Sequence, residues 1–162
     1  MAKEEVALKK TESILQELNH LHEVISQRAY DLFSNHKDSL SDGVDDWLHA
    51  EREVIWRPAV ELRQTNGQIE IKAAVAGMEP KDLDVQVTPE DILITGATEH
   101  HHDTKEGTVH LCEFEGGRLF RSIHLPDKID PNSVKAEYRN GILRLTAAVA
   151  KPAPQAVEAQ QA

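Results

Sequence analysis

Ala136-Glu137-Tyr138-Arg139-Asn140-Gly141-Ile142-Leu143-Arg144-Leu145 decides the fold. Asn and Gly accept positive φ more readily than other residues, so Asn140-Gly141 reads as a two-residue hairpin turn. Apolar residues alternate with polar ones on both sides: Val134, Ala136 and Tyr138 before the turn, then Leu143, Leu145, Ala147 and Val149 after it. A period of two is that of a strand with one buried face. Ala136 is small, which suits close packing of sheets.

The same pattern continues toward the N-terminus. Residues 120–125 form a strand that Pro126 ends, with Gly116-Gly117 marking the turn before it. Val109, Leu111 and Cys112 follow a polar stretch over residues 100–107. Ile92-Leu93-Ile94 lies after Thr88-Pro89-Glu90-Asp91, and Leu83, Val85 and Val87 lie before it. Ile69, Ile71, Ala73 and Val75 form a further strand, joined to Val60 and Leu62 through a second Asn-Gly turn at Asn66-Gly67. Seven or eight short strands with regular turns and no intervening helix indicate an antiparallel sandwich over residues 57–150.

Residues 1–56 read as helical. Ile14, Leu18, Leu21, Ile25 and Leu32 fall near one face of a first helix, which Asn35 and His36 end. After a polar loop, Asp42 caps a second helix carrying Trp47, Leu48, Glu51, Val54 and Ile55, with Asp45 near its positive end. Pro58 stops it by forcing Arg57 out of the helical region. Two such helices form a poor core alone and must pack on each other, on the β domain or on another chain. Residues 151–162, rich in Ala, Gln and Pro, have almost nothing to bury and are expected to be a flexible tail.

Four ordered motifs in the β zone resemble the α-crystallin domain of small heat-shock proteins. Trp56-Arg57-Pro58 is similar to that family's entry into its first strand. Ala76-Gly77-Met78 followed by Asp82-Leu83-Asp84-Val85 resembles its Pro-Gly turn and the next strand, with Ala76 in place of Pro. Glu113, Gly117, Phe120-Arg121 and Leu125-Pro126 resemble the stretch leading to its Leu-Pro. The opening motif is similar to its Ala-x-x-x-Asn-Gly-Val/Ile-Leu. Gly77 is expected where a side chain would clash or where φ is positive. A second resemblance covers residues 21–56: Arg28-Ala29-Tyr30-x-Leu32-Phe33, then Asp46-Trp47-Leu48-x-Ala50-Glu51, is similar to a small bacterial domain of unknown function, which suggests a bacterial source and assigns no activity.

The first resemblance implies a mainly β chain, an immunoglobulin-like antiparallel sandwich preceded by a helical segment. It implies an ATP-independent chaperone of the stress response that holds partly unfolded proteins. The alternative is an adaptor that uses the same sandwich to bind one specific partner. Self-association is implied through exchange of residues 100–114 into a partner's sheet, with Val109, Leu111, Phe114 and Arg121 at the dimer interface. Leu83, Val85, Val87, Val134, Ala136 and Tyr138 lie on the strands flanking the family's groove. About half of them are expected to be plain sandwich core and the rest to line an edge groove for extended aliphatic segments. Many family members end in an Ile-x-Ile/Val motif that docks in such a groove. The tail here offers only Val157, which favours dimers or assemblies built by the N-terminal helices over large tail-stitched oligomers.

No catalytic constellation stands out. There is no Gly-rich phosphate loop, no Gly-x-Ser-x-Gly elbow and no Walker lysine. Asp45-Asp46 reads as helix-start charge and Asp82/Asp84 as the exposed side of a strand. His100, His101, His102, Asp103, His110 and Cys112 gather the side chains best suited to a metal. Their spacing is not that of a zinc finger, and three adjacent histidines on a polar loop rarely converge on one ion. The expectation is a solvated loop that binds no metal and no cofactor, with pH sensitivity if the loop is exchanged.

Charge and composition narrow the partners. The 162 residues carry a formal charge of −10, and residues 1–56 alone hold 12 acidic against 6 basic side chains. Without a basic stripe, neither nucleic acid nor an anionic membrane is expected as the main partner. The charged start of the chain lacks a secretory pattern, and Cys112, the only cysteine, excludes an internal disulfide. A reducing cytoplasm is the expected location.

Overall fold

The computed structural model describes residues 4–11, 14–35, 43–113 and 117–151. Asp42, Phe114, Gly116 and the tail from residue 152, including Val157, lie outside the described residues.

Two five-stranded sheets stack face to face. The first has the order β1-β9-β10-β5-β4: β1 (Glu4–Glu5), β9 (Lys135–Arg139), β10 (Ile142–Ala148), β5 (Gln68–Ala74) and β4 (Val60–Thr65). The second has the order β2-β6-β7-β8-β3: β2 (Ala7–Lys10), β6 (Leu83–Val87), β7 (Asp91–Thr98), β8 (Gly117–His124) and β3 (Ile55–Trp56). Alternate residues of each strand point into one shared interior. Ile69, Ile71, Leu143 and Leu145 come from the first sheet and Val85, Ile92, Ile94 and Leu119 from the second; all are essentially inaccessible to water. Burying each such side chain is worth about 1.5–3 kcal/mol, so this interior holds the sandwich together.

The two Asn-Gly turns are as the sequence requires. Asn66 and Gly67 have φ of 47° and 77°, and Asn140 and Gly141 have 52° and 77°. Gly141 is also needed for space: a Cβ there would lie 3.1 Å from the Cα and the Cβ of Ala76. Gly77 has φ 90° with open space where its Cβ would stand, so conformation and not a clash demands glycine there. Tyr138 fixes this turn to β9 by donating its hydroxyl hydrogen to the Met78 carbonyl at 2.9 Å.

Helices α1 (Leu15–Asn35) and α2 (Gly43–Val54) pack on each other and on the second sheet. Leu21, Ile25, Ala29, Leu32 and Ala50 form their shared core, with Phe120 of β8 and Ile55 of β3 against it. On the sheet face turned away from the sandwich interior, Gln86 is buried and its amide donates to Glu17 of α1 at 3.4 Å. Leu93, opposite Gln86 in register, is fully buried on that same face. Of the three packing options that the sequence leaves open, the helices take the first two within one chain.

One sequence expectation needs correction. Residues 1–56 are not helical throughout, because β1 and β2 precede α1 and β3 follows α2. Within residues 57–150 every strand pairing is antiparallel, as the sequence reads, and the N-terminal segment adds two parallel strands, β2 beside β6 and β3 beside β8. Both parallel strands come from the N-terminal segment, which sequence periodicity alone ties to the helices.

Candidate functional site: the seam between the sheet edges

Strands β6 and β9 lie on the same side of the sandwich, one near the edge of each sheet. Residues 4–11 run across the seam between them. Glu4 and Glu5 pair with Tyr138 and Glu137 of β9 in antiparallel register. Two residues later the chain has changed sheets: Ala7, Leu8, Lys9 and Lys10 pair in parallel with Asp84, Val85, Gln86 and Val87 of β6. Val6, at the crossing point, is 5% exposed and belongs to the sandwich core. Leu8, two positions on, lies at the rim and is 36% exposed. Polar contacts finish the closure. The Thr11 amide donates to the Val87 carbonyl at 3.0 Å, Lys9 Nζ meets Asp84 Oδ2 at 3.0 Å, and Lys10 Nζ donates to Asn132 Oδ1 at 2.6 Å.

The side chains that the sequence assigns to a groove sit around this seam but are not open to solvent. Leu83, Val85, Val87, Val134 and Ala136 are all buried in the sandwich core, and Tyr138 is half-buried against it. The strip between the two strands is filled by the chain's own residues 4–11. The alternation of Val6 and Leu8 between Glu4-Glu5 and Lys9-Lys10 is the sequence signal for this strand.

The residues expected at a dimer interface are placed as follows. Val109 and Leu111 are 50% and 79% exposed, on a segment with no strand partner among the described residues. The strand expected over Val109, Leu111 and Cys112 is therefore absent here. Arg121, on β8 opposite Ile94, is half-buried; its Nε is fully buried and has no hydrogen-bond partner among the described residues. The outer edge of β4, carrying exposed Leu62, is the free edge of the first sheet.

Residues 61–161 match the model of the Hsp20/alpha crystallin family. The chain belongs to that family. Among curated Hsp20-family relatives, it is 30% identical over 108 residues to a protein of Leptospira interrogans described as a probable 15 kDa heat shock protein. That alignment covers 67% of this chain and 82% of the relative. It is also 30% identical over 89 residues to spore protein SP21 of Stigmatella aurantiaca, covering 55% of this chain and 53% of that protein, about half its length. Heat shock protein 16.0 from Schizosaccharomyces pombe shares the fold, with a TM-score of 0.55 at 21% identity over 60% of this chain and 91% of that one. A small heat-shock protein from Xylella fastidiosa has a TM-score of 0.53 at 22% identity over 65% and 98%. As an Hsp20-family member the chain has a chaperone's fold, and no helix among its described residues is long and apolar enough to cross a membrane.

Proposed function

We propose that this small heat-shock protein is an ATP-independent holdase whose client groove is the β6–β9 seam, kept closed at rest by its own residues 4–11. The observation that carries this reading is Val6 buried between the two strands. The closing segment is lightly anchored: Val6 is the one buried side chain of residues 4–11, whereas β5 and β10 each bury three. Segments with few buried apolar contacts open first, at a small fraction of the global free energy. An opened seam presents two unpaired strand edges and apolar side chains. An extended aliphatic stretch of an unfolding protein pairs with these as residues 4–11 do. Burial at about 25 cal/mol per Å² gives weak, reversible and unselective capture.

Homodimerisation through residues 100–114 completes the proposal. Leu111 and Val109 offer apolar side chains without a covering element, the edge of β4 offers unpaired backbone, and Arg121 offers a buried donor for a carboxylate. Covering that edge also suppresses edge-to-edge aggregation.

An adaptor role is the second reading. It is favoured by Tyr30 and Phe33, 66% and 58% exposed at a spacing of three on α1. Light scattering separates the two. Several unrelated heat-labile enzymes are warmed without ATP, with the full chain or with Val6→Asp, which puts a carboxylate where the seam must stay dry. The holdase reading expects the full chain to suppress aggregation of all of them and Val6→Asp to do so at lower ratios. Absence of suppression at every ratio overturns it.

A further inference from the structure

The loop between β7 and β8 holds a second arrangement, separate from the seam. The nitrogen ligand atoms of His100 and His102 and the sulfur of Cys112 all lie within 4.8 Å of one another. Cys112 Sγ is 3.4 Å from His100 Nε2, and the two imidazole rings stand edge to face with centroids 4.7 Å apart. The chain builds this convergence from local features. Residues two apart share a side of an extended segment, so His100 and His102 turn one way. His101 turns the other way, to Glu99 at 3.1 Å. Asp103 then caps a short 3₁₀ turn, Thr104–Glu106, accepting from the Lys105 amide at 2.9 Å. Gly107 follows at φ 119°, and the chain returns to set Cys112 beside His100.

We propose that His100, His102 and Cys112 form a zinc site that ties the two limbs of this loop together. Two imidazoles and a thiolate suit a borderline-soft ion and not Mg²⁺ or Ca²⁺, which take oxygen ligands. Around a tetrahedral Zn²⁺, bond lengths of about 2.0–2.1 Å to nitrogen and 2.3 Å to sulfur put neighbouring ligand atoms roughly 3.3–3.6 Å apart. The Cys112–His100 separation already meets that spacing. The widest pair closes by little more than about 1 Å, through side-chain rotation, because all three residues are exposed. Binding displaces the thiol proton to solvent. The fourth position falls to water or to a carboxylate, since Glu99 and Glu113 line the same cavity of about 420 Å³ as His100. An ion here would fix Leu111, next to Cys112, in one presentation.

The test uses the full chain, reduced and stripped of metal with a chelator, then titrated with Co²⁺ as a spectroscopic stand-in and with Zn²⁺ in competition. The expected result is one ion per chain, with a thiolate-to-cobalt charge-transfer band and the visible bands of a tetrahedral ion. Cys112→Ser should abolish the charge-transfer band. His100→Ala/His102→Ala should weaken Zn²⁺ binding by more than roughly 100-fold, beyond what loss of an outer-shell partner costs. His101→Ala and His110→Ala should leave it unchanged. Circular dichroism of each variant reports that the sandwich is intact. Absence of a thiolate band, or Zn²⁺ affinity that survives the double variant or vanishes with His101→Ala, overturns the proposal.

Discussion

Leu8 stands in parallel register beside Val85, so the second residue pair of β2 lies on the strand that forms one wall of the seam. Strand β2 is, with β3, one of two parallel additions to sheets otherwise paired antiparallel. It occupies the backbone positions that any other extended segment would need. The state of residues 4–11 therefore sets how much of β6 and β9 is available.

Shortening the anchor should loosen this strand without unfolding the sandwich. Val6→Ala removes two buried carbon groups, a loss of about 1.5 kcal/mol, or roughly tenfold in the opening equilibrium. Hydrogen exchange should show the Thr11 amide, which donates to the Val87 carbonyl, exchanging about tenfold faster. The amides of β5 and β10 should keep their protection. Equal loss in all three places would mean that the strand and the sandwich open together.

Two glycines with identical φ separate strain from packing. Gly67 and Gly141 both have φ 77°, but only Gly141 has a neighbour, Ala76, within 4 Å of where its Cβ would stand. Gly67→Ala should cost about 1–2 kcal/mol from backbone strain alone. Gly141→Ala should cost more, because Ala76 must also give way. Urea midpoints measured side by side check the order.

Self-association should depend on the exposed loop and on Arg121. Leu111→Asp places a charge on the most exposed aliphatic side chain among the described residues, and Arg121→Ala removes the buried donor. Both should shift the mass found by size-exclusion chromatography with light scattering toward the monomer. A mass unchanged in both variants would remove residues 100–114 and Arg121 from the interface.

The helix pair carries a pH dependence of definite sign. Arg28 Nε holds Glu53 Oε2 at 2.6 Å, and that hydrogen bond keeps the Glu53 carboxyl below the ordinary glutamate value of 4.5. Glu53 therefore binds its proton more weakly folded than unfolded. Its contribution is fully present above the ordinary value and is lost as pH falls through the lowered folded-state value. Between pH 7 and acid conditions, the thermal midpoint of Glu53→Gln should fall less than that of the parent chain. Equal falls would show that the pair on α1 and α2 carries no such coupling.

The hairpins were legible because their code is local. Asn66-Gly67 and Asn140-Gly141 prescribe positive φ wherever they occur, and the period-two alternation around them names the buried face. The α1 face, from Leu21 to Leu32, was readable for the same reason at helical spacing. Strands β1 and β2 were not, since two and four residues make too short a pattern and their partners lie at distant positions in the chain. Residues 4–10 therefore fell within the zone read as helical. The meeting of His100, His102 and Cys112 escaped a reading by spacing because the Asp103 cap and Gly107 bring the chain back on itself. A residue such as Val85 illustrates a different limit. Periodicity says that it turns inward, but not whether the space it faces is already filled.

The crossing of residues 4–11 between the two sheets bears on the order in which a ribosome delivers this chain. Glu4 is made well before its partner Tyr138. Until β9 emerges, residues 4 and 5 have no strand to pair with. Closure of the seam thus waits for β9, and every newly made molecule passes through an interval with that seam unsealed.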